Sequence, residues 1–401
     1  MICRICGYDT KTVLELGSSP PANYLLDNPE KEEKEYPLIL EFCSKCSNIQ
    51  LKDCLQRTDL YKNYLYLTPE SSMLNSHYED LTNFLLNKKY LTNKSFLLEV
   101  GSNSGNYLNY LSQYVKDIIG MDPAKNIVDI ANKSGIKTIC DFFSEESAKR
   151  FLSEKGRVNN IVARHCFAHN SDPHDLLKGV KLLLDKDGYV VIENAYIVNT
   201  IENNEFDQIY HEHMFYYSIK SMQKAFELNG LKIIDLFFSL IHGGSIVFIG
   251  THKNKEIKPN NNFEKHMINE SIILNNDNLL KFGSNAIKLK TDLNILLGKI
   301  KSHNKTIYTY GATAKGNTLL NFCNIKRDLI PYCVDSTPIK HGKYLPCSKI
   351  KIVPEEFIES EPPDYFLLTA WNYKEEIIRK VRSKNNFSSS FIVPFPNLVV
   401  I

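Results

Sequence analysis

Ionisable and phenolic side chains follow one another in the segment Tyr210-His211-Glu212-His213, directly ahead of an aromatic run. Histidine is the side chain whose ordinary pKa lies near neutrality, so an imidazole here can remove a proton at physiological pH. A neighbouring Glu can orient that imidazole or raise its basicity. The segment therefore predicts proton-transfer chemistry, and a purely structural role is the alternative. A metal site on three successive side chains is disfavoured, because neighbouring residues point in different directions.

Two C-x-x-C pairs lie near the start of the chain, Cys3 with Cys6 and Cys43 with Cys46. Zinc takes four tetrahedral thiolates, and each C-x-x-C turn presents two sulfurs on one side. The four cysteines therefore predict one structural zinc site that leaves no position open for catalysis. Four unrelated free thiols are the alternative. The sequence has ten cysteines and no visible secretion signal, so we expect the other thiols to be reduced.

An apolar run of strand length, residues 96–100, leads into a glycine loop, and a helical pattern follows. Strand, glycine loop and helix build the nucleotide-sized pocket of doubly wound α/β folds. The loop reads E-V-G-S-N-S-G from Glu99 to Gly105, and it lacks the third glycine of the dinucleotide motif. It resembles the first motif of class I S-adenosylmethionine (SAM) methyltransferases, with Asn103 in place of the middle glycine.

Further strands of the same predicted sheet end in polar residues. Asp122 ends the second strand, where a carboxylate suits the ribose hydroxyls of a nucleotide. Asp141 and Phe142 follow the third strand and suit an adenine amino group and ring face, although Phe142 fits a packed core equally well. His165 and His169 follow the fourth strand. Alternating strands and helices predict a parallel sheet with helices on both faces.

The C-terminal part repeats the order of strand, glycine turn and helix in residues 305–317. The small residues of this turn, the helix N-terminus and Lys315 favour an anion, so we expect a phosphate-sized site there. Tight packing of strand against helix is the alternative. Upstream, the sequence H-G-G-S at 242–245 interrupts an apolar stretch, and its glycines indicate close backbone approach within a strand pair.

Length and composition narrow the class of protein. A chain of 401 residues with 43% hydrophobic residues is long enough for two or three packed domains. The net charge of +2 gives no broad electrostatic reason to expect nucleic acid or membrane binding. No apolar run approaches the roughly 20 residues that a membrane helix needs. We therefore expect a cytoplasmic protein that acts on a small molecule.

Three blocks of the chain resemble the SAM-dependent sugar C-methyltransferases that act on nucleotide-linked keto-sugars in deoxysugar pathways. They are the paired C-x-x-C segments, the loop Y-H-E-H-x-x-Y-Y-S, and Y-G-A-T-A-K-G-N-T-L-L-N with V-D-S-T-P-I-K-H-G-K-Y-L-P and A-W-N-Y. The resemblance covers nearly the whole chain. This chain has Val247 where the family usually has Arg, and Cys347 where a Gly is usual, which leaves the substrate open.

The resemblance implies an α/β protein with a class I methyltransferase Rossmann-like core and two further parts. These are an N-terminal zinc-binding module over 1–72 and a C-terminal sugar-nucleotide-binding α/β (Rossmann-like) domain over 236–401, with the SAM-binding domain over 73–235 between them. The resemblance also implies a mechanism, in which a base removes the proton next to the keto group and the resulting enediolate attacks the SAM methyl group.

The resemblance assigns roles to individual residues. His213 matches the base, with Glu212 and Tyr210 as its partners, while His169 and Tyr64 match positions that face the sugar and steady the oxyanion. The residues implied to bind SAM are Glu99, Gly101, Asn103, Gly105, Asp122, Asp141, Phe142 and His165. Those implied to bind the sugar nucleotide are His242, Gly244, Thr313, Lys315 and Asn317.

Three other functions remain open at this stage. An O- or N-methyltransferase would share the SAM domain but would need no base for a carbon acid. An NAD-dependent enzyme is possible because Glu99 and Asp122 can each hold a ribose. A non-catalytic zinc scaffold would make the histidine segment incidental. The sequence also leaves open the nucleotide, the methylated carbon and whether the protein is a monomer or a homodimer.

Overall fold

The computed structural model describes residues 1–56, 60, 67–68, 71–260, 262–383 and 388–401. In this part of the chain, the strands form three sheets. The first is an antiparallel sheet built around the cysteine segments. Its strands, in spatial order, are β1 (Lys11–Ser19), β2 (Tyr36–Phe42), β3 (Ile49–Leu51) and β9 (Phe215–Tyr216).

The second sheet has seven strands and forms the centre of the molecule, in the spatial order β10-β11-β8-β7-β4-β5-β6. The five strands from β8 to β6 are parallel to one another, while β10 and β11 form an antiparallel hairpin on the edge of β8. The strands are β4 (Phe96–Val100), β5 (Asp117–Asp122), β6 (Thr138–Cys140), β7 (Val158–Arg164), β8 (Leu184–Ala195), β10 (Leu231–Ser239) and β11 (Ser245–His252).

The third sheet lies in the C-terminal part and runs in the order β14-β13-β12-β15-β16-β17. Its strands are parallel except β17, which is antiparallel to β16. The strands are β12 (Ile307–Tyr310), β13 (Tyr332–Val334), β14 (Lys351–Val353), β15 (Tyr365–Leu368), β16 (Ser390–Val393) and β17 (Val399–Val400).

Helices cover the two larger sheets and connect their strands. Their starts follow local sequence signals: Ser144 caps α4 through a capping box, and Asp172 caps α5 with Pro173 in its first turn. The helices are α1 (Ser72–Asn87), α2 (Asn106–Leu111), α3 (Lys125–Lys133), α4 (Glu145–Lys155), α5 (Pro173–Leu183), α6 (Ile197–Glu202), α7 (Ile219–Leu228), α8 (Phe263–Ile273), α9 (Asn276–Ser302), α10 (Ala314–Phe322), α11 (Phe357–Ser360) and α12 (Lys374–Ser383).

The expected boundary between residues 235 and 236 falls inside strand β10. The apolar stretch around 242–245 is an antiparallel hairpin whose second strand pairs with β8, with Ser245 opposite Ala195. The backbone hydrogen bonds of this hairpin therefore belong to the central sheet, which continues to His252. The sequence pattern identified the strand pair but not the sheet to which it adds.

Candidate active site

A cavity opens at the carboxyl ends of β4, β5, β6 and β7, which is where open α/β sheets bind their ligands. Six of the eight residues that the resemblance assigns to the cofactor line it, and Glu99 and Gly105 lie outside its lining. The polar and aromatic residues that line it include Ser102, Asn103, Asp122, Asp141, Phe142, Arg164, His165, His169 and His242, and Gly101 contributes backbone.

The glycine loop is held against the end of β5 by Asp122. Its Oδ2 accepts a hydrogen bond from the backbone N–H of Asn103 at 3.0 Å, and its Oδ1 accepts one from the N–H of Ala124 at 3.0 Å. Burial raises the pKa of Asp122 above its ordinary value. Gly101 has φ +67°, and a Cβ there would lie 2.5 Å from the Cβ of Cys166. Glycine is therefore required at 101 both for its conformation and for space.

Glu99 and Gly105 support the loop from behind. The carboxylate of Glu99 accepts a hydrogen bond from Nε of Arg164 at 3.1 Å, and burial raises the pKa of Glu99 to about 7. Gly105 precedes the first residue of α2 with φ +80°, and a Cβ there would meet Ile136 at 2.8 Å. Their placement gives both residues a supporting position, rather than the cofactor contact that the resemblance implied.

His213 is half-buried and is hydrogen-bonded at both ring nitrogens. Nδ1 lies 3.0 Å from the carbonyl oxygen of Gln208, and Nε2 lies 2.6 Å from the hydroxyl of Tyr210. The ring of His169, which lines the cavity, is 5.1 Å away between centroids. Burial lowers the pKa of His213 well below its ordinary value and lowers that of His169 to about 4. Two neutral imidazoles therefore lie side by side at the cavity.

Glu212 does not make the expected contact with His213. Its Oε1 accepts a hydrogen bond from Nδ2 of Asn23 at 2.6 Å, and burial raises its pKa to about 7. Nε2 of His211 lies 3.2 Å from the carbonyl oxygen of Tyr36. Successive side chains of this segment point to different sides, so His213 is hydrogen-bonded to the Gln208 carbonyl and not to Glu212. Tyr64 lies outside the described residues.

The small residues of the turn 310–317 are explained by packing. A Cβ on Gly311 would lie 2.4 Å from the Cβ of Ala370, and one on Gly316 would lie 2.6 Å from the Cβ of Thr369. Thr313 caps α10 by accepting a hydrogen bond from the N–H of Gly316 at 2.9 Å. The alternative of tight strand-to-helix packing therefore accounts for this turn better than a phosphate site does.

The remaining residues assigned to the sugar nucleotide connect different parts of the molecule. Nζ of Lys315 donates to the carbonyl oxygen of His242 at 2.8 Å, and burial lowers the pKa of this lysine. Nδ2 of Asn317 donates to the carbonyl oxygen of Ala22 at 2.6 Å. A Cβ on Gly244 would lie 2.7 Å from Cγ of Asn199. Of the residues assigned to the sugar nucleotide, His242 lines the cavity, and Lys315 contacts His242 without lining the cavity itself.

The four cysteine sulfurs converge as the spacing predicts. Sγ of Cys3 lies 3.6 Å from that of Cys46, Sγ of Cys6 lies 3.5 Å from that of Cys43, and all four lie within 4.8 Å of one another. Four sulfurs at about 2.3 Å from a tetrahedral zinc ion would be separated by similar distances. The donor set therefore fits a closed structural metal site.

Several polar residues of the site were not identified from the sequence. Nε2 of His77 lies 2.8 Å from Oε1 of the buried Glu193, and Nε2 of His165 lies 3.6 Å from the same oxygen. An acid at the end of a strand was a visible signal for Glu193. His77 lies on α1, 116 positions earlier in the chain, and Gln208 acts through its backbone, so neither gave a local signal.

Within the described residues, no helix combines the length and apolarity of a membrane span.

Comparisons with known protein families give three matches along the chain. Residues 3–61 match a zinc binding domain, residues 72–236 a methyltransferase domain, and residues 240–396 the C-methyltransferase C-terminal domain. Among solved structures, a SAM-dependent methyltransferase from Anabaena variabilis is 20% identical, covers 43% of this chain and 83% of its own, and has a TM-score of 0.36. The magnesium protoporphyrin IX methyltransferase of Synechocystis with bound SAM is 10% identical, with coverages of 48% and 89% and a TM-score of 0.36.

A curated relative matches over the full length. The C-methyltransferase NovU of Streptomyces niveus is 33% identical over 407 residues, which span 100% of this chain and 96% of NovU. The parallel sheet, its antiparallel edge hairpin and the cavity at its strand ends are those of a class I SAM methyltransferase. The chain is therefore a SAM-dependent methyltransferase and belongs to the C-methyltransferase family.

Proposed function

We propose that the protein transfers the methyl group of SAM to the carbon next to the keto group of a nucleotide-linked deoxysugar. The resemblance of the Y-H-E-H loop and of the block that begins at Tyr310 supports this substrate class. The observation that carries the proposal is the environment of His213, which is half-buried, neutral and held beside the cavity. Removing the proton of a carbon acid requires a base of this kind, and the atom that receives the methyl group distinguishes carbon transfer from oxygen or nitrogen transfer.

The partners of His213 define which nitrogen is basic. The carbonyl of Gln208 can only accept a hydrogen bond, so Nδ1 carries the proton and Nε2 carries the lone pair. The hydroxyl of Tyr210 then donates to Nε2. When a sugar binds, the hydroxyl of Tyr210 turns away from Nε2, and the freed lone pair of Nε2 takes the proton from the carbon next to the keto group.

His169 is the proposed stabiliser of the oxyanion. Its ring lines the cavity 5.1 Å from the ring of His213, and burial lowers its pKa to about 4, which keeps the imidazole neutral and able to donate from one N–H. A donor aimed at a developing enediolate oxygen acts most strongly in a site that excludes water. Bound SAM supplies the electrophilic methyl group that the carbanion attacks.

We place the substrate between the central sheet and the C-terminal domain. His242 lines the cavity, and Lys315 extends from the C-terminal domain to its backbone carbonyl. A sugar held at this junction would lie beside His169, and its nucleotide would extend towards the C-terminal sheet. The expected division into a zinc-binding module, a SAM domain and a sugar-nucleotide domain stays part of this proposal, with the central sheet extended to His252. We further propose that the four cysteines hold a structural zinc ion.

The test uses methyl-labelled SAM and a panel of nucleotide-linked 4-keto sugars in deuterated buffer. We expect NMR and mass spectrometry to locate the label on a carbon next to the keto group. His213→Asn should lower kcat by about 10²–10⁴-fold, the usual contribution of a positioned base, and leave the affinity for S-adenosylhomocysteine unchanged. His211→Gln is the control, because this residue of the same loop faces the Tyr36 carbonyl. Label on oxygen or nitrogen, or full activity of His213→Asn, would refute the proposed chemistry.

A further inference from the structure

A cofactor that spans the cavity must place its amino-acid end near β7. Asp141 and Phe142 follow β6 and suit the adenine ring, and Asp122 at the end of β5 suits the ribose. The next strand in the sheet is β4, with its glycine loop, and β7 comes after it. An extended SAM molecule that begins at β6 therefore brings its methionyl group to the carboxyl end of β7, where Arg164 is the last residue.

Arg164 is an almost buried cation in the wall of the cavity, with its side chain 13% exposed. Its guanidinium carbon lies 4.9 Å from the ring centre of Tyr78 and 4.1 Å from that of Tyr107. Cation–π contacts of this kind fix the plane of the guanidinium group. Nε donates to Oε1 of Glu99 at 3.1 Å, which fixes its rotation within that plane.

The far edge of the guanidinium group remains available to a ligand. The hydrogen bond from Nε to Glu99 leaves the two terminal nitrogens on the opposite edge of the guanidinium group, where the Tyr78 side chain also contacts Arg164. The two terminal nitrogens together form the fork that binds a carboxylate through two parallel hydrogen bonds. Glu99 and Glu193 offset the charge of the cation, so its position is maintained without a bound anion.

We propose that Arg164 binds the α-carboxylate of the methionyl group of SAM. The carboxylate is the one anionic group of this cofactor, and Arg164 lies at the end of the cavity where that group must fall. Glu99 acts as a positioning residue, because it orients the guanidinium group without lining the cavity. The proposal rests on SAM binding and is independent of the sugar substrate and of the role of His213.

Calorimetry with two ligands tests the proposal without any turnover. S-adenosylhomocysteine carries the carboxylate, and its decarboxylated analogue keeps the adenosine, the sulfur and the amino group. We expect the unaltered protein to bind S-adenosylhomocysteine about 10- to 100-fold more tightly than the analogue, as for a hydrogen-bonded ion pair. Arg164→Met should remove this preference by weakening S-adenosylhomocysteine alone, while Arg157→Met, which alters an arginine outside the cavity lining, should retain it.

The comparison of two ligands within one variant protects the test against partial misfolding, because inactive protein lowers the number of sites for both ligands equally. If Arg164→Met does not fold, the double variant Arg164→Met/Glu99→Gln removes the carboxylate charge that would be left unpaired. Equal affinity of the unaltered protein for the two ligands would overturn the proposal. So would a preference for S-adenosylhomocysteine that persists in Arg164→Met or in the double variant. Neither result would affect the methyltransferase assignment or the proposed base.

Discussion

We expect loss of the metal site to lower kcat while leaving the affinity for the cofactor unchanged. The segment from Cys43 to Cys46 leads directly into β3, which pairs with β9, so Ile49 lies opposite Tyr216. The backbone N–H of Leu51 also donates to the carbonyl oxygen of Met214 at 3.0 Å. Met214 follows His213 in the chain. The cysteine module is therefore joined by backbone hydrogen bonds to the segment that carries the proposed base.

The expected loss in kcat follows from the free energy of zinc binding and from the cost of displacing a catalytic group. Structural zinc contributes about 10–16 kcal/mol to folding in small peptides. A whole domain is stable by only about 5–15 kcal/mol, so a module without its metal is expected to unfold. One side of the central sheet packs on a separate core to which the cysteine module contributes no residue, so we expect the SAM cavity to be kept. A displacement of about 1 Å at a catalytic group can lower the rate by about 10²-fold, which is our expected loss in kcat.

Cys46→Ser is the variant for this test, and Cys347→Ser in the C-terminal domain is its control. Plasma emission spectrometry measures bound zinc, calorimetry measures affinity for S-adenosylhomocysteine, and hydrogen exchange reports on residues 214–216. We expect Cys46→Ser to lose zinc, to exchange faster in that segment and to lose about 10²-fold in kcat, with its cofactor affinity retained. Zinc loss with full kcat would refute the coupling, and a parallel loss of cofactor affinity would show that the central sheet depends on the module.

Two further predictions concern protonation and packing. Burial lowers the pKa of both His213 and His169, and the neutral imidazoles are the proposed active forms. We therefore expect kcat to persist below pH 6.5 and to fall only at more acidic pH. An acidic limb centred at or above pH 6.5 in a profile of kcat against pH would contradict this prediction. Gly101→Ala brings a Cβ to 2.5 Å from the Cβ of Cys166. The control is Gly135→Ala, because Gly135 has a similar φ but no atom within 4 Å of the added Cβ. We expect Gly101→Ala to lower the free energy of unfolding by about 1–3 kcal/mol more than the control, and equal losses in denaturant titrations would show that the clash relaxes.

Features that depend on short sequence separation were predicted correctly. Within each C-x-x-C turn the two sulfurs are fixed by a few residues of chain, and the tetrahedral zinc geometry predicts that the two turns meet, as their sulfurs do. The glycine loop and Asp122 meet because adjacent parallel strands end at the same edge of the sheet. The family and fold class followed from these local patterns together with the long C-terminal block. Each of these signals requires only the sequence spacing and the topology of a parallel sheet.

Features that depend on distant contacts were not predictable in the same way. Glu212 binds Asn23 across 189 positions, so its neighbour His213 could not reveal which side of the loop it faces. The orienting partner of His213 is a backbone carbonyl, which every residue has and which leaves no trace in the sequence. The hairpin of β10 and β11 could equally well have paired with another sheet. Arg164 gave no local signal in the sequence, because its partners Glu99, Tyr78 and Tyr107 are on other elements.

The segment that carries the proposed base is held by both outer parts of the molecule. Asn23 of the N-terminal part donates to Glu212 at 2.6 Å. From the C-terminal part, Nε1 of Trp371 donates to Asp207 at 2.6 Å, and the hydroxyl of Thr318 donates to the carbonyl oxygen of Ile209 at 3.1 Å. The central sheet contributes the cavity, and the carbonyl oxygen of Ala168 accepts a hydrogen bond from the N–H of Met214 at 2.9 Å. We therefore expect contacts from all three parts of the chain to align the proposed base with the methyl donor.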